Sequence, residues 1–234
     1  MEDAGPILQF RNLWVRKKKN LDAPVETEDK EKDSFLLKGL SGDFPAGRHS
    51  GILSSPGPPK DALLRILCGI SPPDHGEIRR IGAFSWPLGW SFGFHTALSG
   101  VENINFVSRV YGVDSRYALD FVAAFTELGA RLKKPFQHLP KNIRDMIVLS
   151  LALAIPFDFY VGEGDLSGGD PKHKERFEEL VAARMRTSTF IIIARHPRSL
   201  ARFRQAPLLF KDGNLWTFPT YEAMNAHFTR GRKA

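Results

Sequence analysis

Polar and apolar positions along the chain follow two periods, one that fits strands and one that fits helices. The run Thr-Phe-Ile-Ile-Ile-Ala from Thr189 is unbroken by any charged residue and rich in β-branched ones, the pattern of a strand buried on both faces. Gly51-Ile-Leu-Ser predicts a second short buried strand, and residues 157–161 a third. After the first of these in sequence comes a turn rich in serine, proline and glycine, then residues 62–69, where Leu63, Leu64, Ile66 and Leu67 recur with helical spacing. Amphipathic periodicity predicts three successive helices over 101–111, 114–128 and 140–155, a charged surface helix over 171–186 and a closing helix over 221–228. Two short apolar runs hinged at Lys211-Asp-Gly-Asn predict a hairpin. Residues 16–34 are almost wholly charged or polar and predict a flexible insertion between two strand-like pieces. Strands alternating with helices imply an α/β domain with a mainly parallel sheet, an antiparallel β portion and a helical subdomain at about 100–155. Residues 1–234 are expected to form a single domain, with ligands at the carboxyl ends of the strands.

Composition narrows the class. Hydrophobic residues make up 42% of the 234 positions and charged residues 25%, enough to bury a substantial core. The longest apolar stretch, 146–157, is interrupted by Ser150 and Pro156, so no membrane span is expected. Met1-Glu2-Asp3 lacks the positive charge of a secretory leader, and the single cysteine, Cys68, excludes an internal disulfide and any multi-cysteine metal site. A cytoplasmic protein is therefore expected. Thirty-three Lys and Arg against 26 Asp and Glu give a net charge of +7, which suits a nucleic acid, an anionic membrane surface or a phosphorylated ligand. The basic residues are scattered, and no nucleic-acid partner is expected.

The strongest chemical signal is Ser54-Ser-Pro-Gly-Pro-Pro-Lys-Asp-Ala, placed between a predicted strand and a predicted helix. A phosphate-binding loop there uses backbone N–H groups and a helix N-terminus to hold phosphate oxygens, a lysine to neutralise them and a hydroxyl on magnesium. Gly57 and Lys60 fit that pattern. Ser54 replaces its first glycine, Pro59 the glycine before the lysine, and Asp61 and Ala62 its hydroxyls. Pro58 and Pro59 have no N–H, so up to two donors are missing. A plain proline-rich turn opening a buried helix is the competing reading of these residues.

The order of further segments carries a resemblance. Leu63-Leu-Arg-Ile-Leu-Cys-Gly, Gly76-Glu-Ile, Ser85-Trp-Pro-Leu-Gly, Gly93-Phe-His-Thr-Ala-Leu-Ser-Gly-Val-Glu-Asn, Arg109-Val-Tyr-Gly, Leu151-Ala-Leu-Ala-Ile-Pro-Phe-Asp-Phe-Tyr, Gly169-Asp, His196 and Lys211-Asp-Gly follow one another through nearly the whole chain. In this the sequence resembles the ATP-binding subunits of ABC transporters, and among them those that export capsular and related polysaccharides. The resemblance implies a P-loop, RecA-like core, ATP and magnesium as ligands, a transmembrane permease partner, and a second ABC ATPase subunit sharing two nucleotide sites. It also implies a position peripheral to the inner membrane.

Carried over residue by residue, the resemblance assigns nucleotide binding to Ser54, Gly57, Lys60, Asp61 and Ala62. It places Lys141 and Asn142 at the signature loop, Asp170 at the subunit interface, and His196 at the switch position that contacts the γ-phosphate. Glu163 falls where the family orders magnesium, and Gly164 where it has the carboxylate that polarises water; moving the register by one makes Glu163 that catalytic carboxylate instead. Leu166-Ser-Gly-Gly-Asp looks like a signature but follows the strand that it should precede, and Asp170 serves equally well as a helix cap. Trp86, Trp90, Phe92 and His95 lie in the aromatic loop expected to dock on the permease. These departures imply weak ATP binding and impaired hydrolysis. A non-catalytic adaptor that keeps the fold is the alternative, with a basic nucleic-acid-associated protein behind it.

Overall fold

A computed structural model describes residues 7–17, 35–91, 93–167 and 171–230. Most of the predicted insertion, residues 18–34, lies outside the described residues, as do Phe92 and Asp170. The chain divides into two compact units, one built from Met1–Gly82 with Thr189–Ala234, the other from Ala83–Ser188.

In the first unit, β1 (Ile7–Arg16), β2 (Phe35–Pro45) and β4 (His75–Ile81) form an antiparallel sheet in the order β2-β1-β4. Alternation of Leu8 and Phe10 puts both on the buried face with Phe44. The register shifts after Phe10, where Asn12 takes a positive φ of 50° and donates its backbone N–H to Ser41 Oγ at 3.0 Å, so Leu13 also turns inward. The parallel part has β3 (Ser50–Ser54) between β6 (Thr189–Ala194) and β7 (Ala206–Lys211), and every residue of β6 is buried. Such burial requires a continuous apolar run, which is why β6 was legible in the sequence. β8 (Asn214–Thr217) returns antiparallel on β7 through Asp212 and Gly213, both at positive φ, as a tight hairpin turn needs. Helices α1 (Pro58–Leu67) and α6 (Tyr221–Arg230) complete the unit.

Helix α1 begins four residues earlier than the apolar periodicity predicts. Proline is favoured in the first turn because its fixed φ suits a helix and its missing N–H would have no intrahelical partner there.

The second unit holds α2 (Gly100–Val110), α3 (Ser115–Thr126), α4 (Lys141–Ala154), β5 (Phe159–Glu163) and α5 (Lys174–Met185). Ser99 and Glu102 cap α2 reciprocally: Ser99 Oγ accepts from the Glu102 N–H at 3.2 Å, and the Glu102 carboxylate accepts from the Ser99 N–H at 2.7 Å. Helix α4 is buried along every residue from Met146 to Ala154, so its apolar run is a core helix. Among the described residues no helix is long and apolar enough to cross a membrane. Strand β5 lies two residues later than the predicted 157–161. Phe157 instead joins an aromatic cluster with Trp86 and Tyr111, and the Asp158 carboxylate accepts the Ala83 N–H at 2.7 Å. The shift makes Glu163 the last residue of the strand.

Candidate nucleotide site

In the first unit, parallel pairing of Leu53 with Ala194 brings the carboxyl ends of β3 and β6 to one sheet edge. The loop after Ser54 and the turn at His196 therefore leave from the same edge, where α/β sheets bind ligands. Ser54 is buried, and its hydroxyl donates to the Ser55 carbonyl at 3.0 Å. Gly57 occupies the N-cap of α1 at φ 140° and ψ 173°, a conformation closed to ordinary side chains. Pro58 and Pro59 follow as the opening helical residues, and the Asp61 N–H donates back to the Gly57 carbonyl at 3.2 Å. The lysine is mostly covered, its side chain 14% exposed, with Nζ 3.0 Å from Asp61 Oδ1. Ala62 is buried and brings no hydroxyl.

The helix start and cation of a phosphate site are thus present, while two N–H donors are absent and a carboxylate occupies the lysine. His196 is exposed at the end of β6 and precedes a 3-10 turn, Pro197–Leu200. Its extended backbone, φ −115° and ψ 132°, is what a residue before proline requires.

In the second unit, Glu163 ends β5 half-buried, and Gly164 turns the chain at φ 91°. A pocket of about 190 Å³ is lined there by Asp145, Leu149, Glu163 and Asp165, among others. Asp145 and Asp165 are pocket-lining acids that sequence reasoning missed; Glu-Gly-Asp at the end of a strand was a signal for Asp165, and Asp145 had none. Asp165 Oδ1 accepts from the Ser167 N–H at 3.1 Å and hydroxyl at 2.8 Å, and Leu166 is buried at a positive φ of 55°. This part of Leu166-Ser-Gly-Gly-Asp is a loop after β5. Lys141 and Asn142 open α4 and are exposed; Pro140 is the N-cap without a side-chain cap bond, and the Lys141 ammonium pairs with Asp145 of its own helix at 2.5 Å.

Magnesium beside nucleotide phosphates takes one or two protein oxygens and leaves the rest to phosphate and water. Asp61 and Glu163 offer such oxygens, each within its own unit. Among the described residues no group of three or more His, Cys, Asp or Glu side chains forms a cage for a metal by itself.

The aromatic loop divides. Trp86, expected on the docking surface, is only 3% exposed: it packs edge-on to Phe157 and tilted against Tyr111, because this segment runs beside β5 through the Phe84–Phe159 and Leu88–Gly162 bridges. Its size and apolar body are spent on the core. Trp90 is half-buried and His95 exposed. The loop around His95 is fixed by Asn103, wholly buried on α2, whose Oδ1 accepts the His95 N–H at 2.7 Å. Its Nδ2 donates to the carbonyls of His95, Leu98 and Ser99 at 3.0 to 3.3 Å. In the sequence Asn103 stands out only as the last residue of the Gly93-to-Asn103 stretch that carries the resemblance and as a polar position on the apolar face of α2.

No family model matches the chain. The polysialic acid transport ATP-binding protein KpsT of Escherichia coli is 31% identical over 180 residues, spanning 76% of this chain and 80% of that one. The capsule polysaccharide export ATP-binding protein CtrD of Neisseria meningitidis is 27% identical over 183 residues, 78% of this chain and 85% of the other. Among solved structures, an ATP-binding subunit of an ABC transporter superposes with a TM-score of 0.74 at 13% identity, over 95% of this chain and 99% of that chain. An ATP-binding cassette dimer bound to ADP and phosphate in a post-hydrolysis state gives 0.70 at 17% identity, over 89% and 96%. The fold of the ABC cassettes, the motif order along the chain and the KpsT likeness agree: the chain belongs to the ATP-binding subunits of ABC transporters of the capsule-polysaccharide export group.

Proposed function

We propose that this chain is a subunit of an export system for a capsule-type polysaccharide, working at the cytoplasmic face of the inner membrane with a transmembrane permease and a second ABC ATPase subunit, and that its own P-loop binds ATP weakly and supports little hydrolysis. The observation that carries the reading is the start of α1, where the two opening positions are prolines and Lys60 is paired with Asp61. Each lost charge-assisted donor removes about 1.5 to 3 kcal/mol, so affinity falls ~100-fold or more when both go. Glu163 has the oxygen chemistry to hold magnesium, which when bound would neutralise phosphate charge. Gly164 has no group to orient a water or take its proton. His196 supplies a hydrogen-bond donor toward the terminal phosphate, and Trp90 and His95 lie on the surface read as the permease contact.

Calorimetric titration of the full chain with ATP in magnesium, beside an ATPase assay, tests this. Dissociation constants of about 0.1 mM or weaker, and turnover no higher than in Lys60→Ala, are expected. Low-micromolar binding, or robust hydrolysis abolished by Glu163→Gln, would refute it. A second reading, an adaptor that keeps the docking and pairing surfaces without chemistry, is favoured by Gly164 alone. It predicts assembly with the permease that is indifferent to Lys60→Ala.

A further inference from the structure

His196 is exposed, yet the turn that carries it is held from two sides within the first unit. On the inner side, Leu200 and Phe203 are buried, and Phe203 stacks on Phe190 of β6 with ring centroids 5.8 Å apart. The turn comes so close to β3 that a Cβ on Gly51 would lie 2.7 Å from the Phe203 carbonyl oxygen and 3.2 Å from Leu200 Cβ. On the outer side, the Tyr221 hydroxyl, at the first residue of α6, donates to the carbonyl of Pro197, the residue directly after His196. The Arg204 guanidinium lies over the Tyr221 ring at 4.6 Å from its centroid. Helix α6 is itself fixed: Met224 is wholly buried, the Ala223 N–H donates to Thr220 Oγ1 at 3.1 Å, and the Met224 N–H to the Thr220 carbonyl at 3.2 Å.

A residue at the end of a strand, followed by proline, has its own backbone conformation set by sterics, and where its side chain reaches then depends on how the turn that carries it is held. The peptide joining His196 to Pro197 has no N–H and offers only the His196 carbonyl, which the Ser199 N–H takes; the next peptide, Pro197–Arg198, offers the Pro197 carbonyl as a handle to the rest of the unit. Tyr221 takes that handle. Closing the turn internally are the Ser199 N–H to the His196 carbonyl at 3.1 Å and the Ala201 N–H to the Arg198 carbonyl at 3.3 Å, neither of which fixes the turn against the rest of the unit.

We propose that Tyr221 is a positioning residue that holds the His196 turn through the Pro197 carbonyl, so that the carboxyl-terminal helix α6 governs how well the protein distinguishes ATP from ADP. The nucleotide part rests on the reading of His196 as the contact to the terminal phosphate; the mechanical part does not. On that reading, loosening the tie weakens a contact to the third phosphate, which ADP lacks.

Tyr221→Phe in the full chain removes the hydroxyl and keeps the ring beneath Arg204. Amide exchange at Ser199 and Ala201 and the ring NMR signals of His196 are compared with those of the unmodified protein, and ATP and ADP affinities are measured by calorimetry. Expected are amide exchange about 5-fold faster, the increment for one hydrogen bond, and shifted or broadened His196 signals. ADP affinity should stay unchanged while the ATP-to-ADP affinity ratio falls by about the same factor. Unchanged exchange and His196 signals would overturn the proposal, as would equal losses of ATP and ADP affinity or loss of the folded state by circular dichroism. If the unmodified protein binds neither nucleotide, the functional reading fails, and exchange with the His196 signals still decides whether Tyr221 holds the turn.

Discussion

Replacing Asp61 by Asn separates the two defects proposed for the loop before α1, because it removes a charge and leaves Pro58, Pro59 and the helix start in place. Asp61 Oδ1 sits 3.0 Å from Lys60 Nζ. A phosphate oxygen at about 2.8 Å from the same ammonium comes within about 6 Å of the carboxylate, where one unit charge repels another by about 1.4 kcal/mol at an effective dielectric of about 40. Asp61 is 48% exposed, so a value between that of water and that of a buried pair is appropriate. Freeing Lys60 from a partly exposed ion pair adds about 0.2 to 1 kcal/mol. The sum is about 1.6 to 2.4 kcal/mol, a gain in ATP affinity of about 15- to 50-fold. Stability should move the other way, by about 0.3 to 1 kcal/mol, because an acidic residue in the first turn of α1 is favourable to the helix dipole. The assay is calorimetry with ATP, in EDTA and in excess magnesium, beside a urea unfolding curve. The gain should be largest in EDTA, since a divalent cation relieves the same repulsion. Affinity that stays within two-fold of the unmodified chain under both conditions would refute the electrostatic account and leave the prolines as the whole defect.

Asn103→Ala should cost about 2 to 4 kcal/mol in urea unfolding, since a buried side chain with four hydrogen bonds is removed and the His95 loop loses its anchor; a cost below about 1 kcal/mol would show that the loop holds itself. Glu102, held below the usual carboxylate range by its bonds to Ser99, has a depressed folded-state pKa, so its contribution is present above the unfolded value and is lost as pH falls through the folded one. Glu102→Gln should therefore lower Tm at pH 7, with the difference from the unmodified protein closing in acid; a deficit that persists at low pH would contradict this. Burial pushes the Cys68 thiol up to about 12, so native Cys68 should resist alkylation at pH 8 and react at the ordinary rate once unfolded, with stability falling as pH rises from the unfolded thiol value toward the folded one. Rapid native-state alkylation would show an accessible thiolate.

Buried continuous strands and amphipathic helices announce themselves because their sequence must match one period over many residues. Thr189–Ala194, α2, α3, α4 and the 212–213 hairpin turn were readable for that reason, and with them the α/β class. Motif order was readable too, because loops that hold phosphate are contiguous in sequence. Other features depend on neighbours distant in the chain. Trp86 reads like a docking aromatic until the segment lies down beside β5, when its burial is decided by Phe157 and Tyr111. Asn103 reads as a polar fault on an apolar helix face until the His95 loop closes over it, supplying four partners whose number no local pattern encodes. Strand β5 moved by two residues because Asp158 found the Ala83 N–H, a bond spanning 75 positions. The Lys60–Asp61 pair and the Tyr221 tie to Pro197 are likewise matters of where side chains point once the backbone is set. Sequence determines what periodicity and local chemistry require; side-chain geometry between residues far apart in the chain is decided only when packing fixes which polar groups lose water and must find each other.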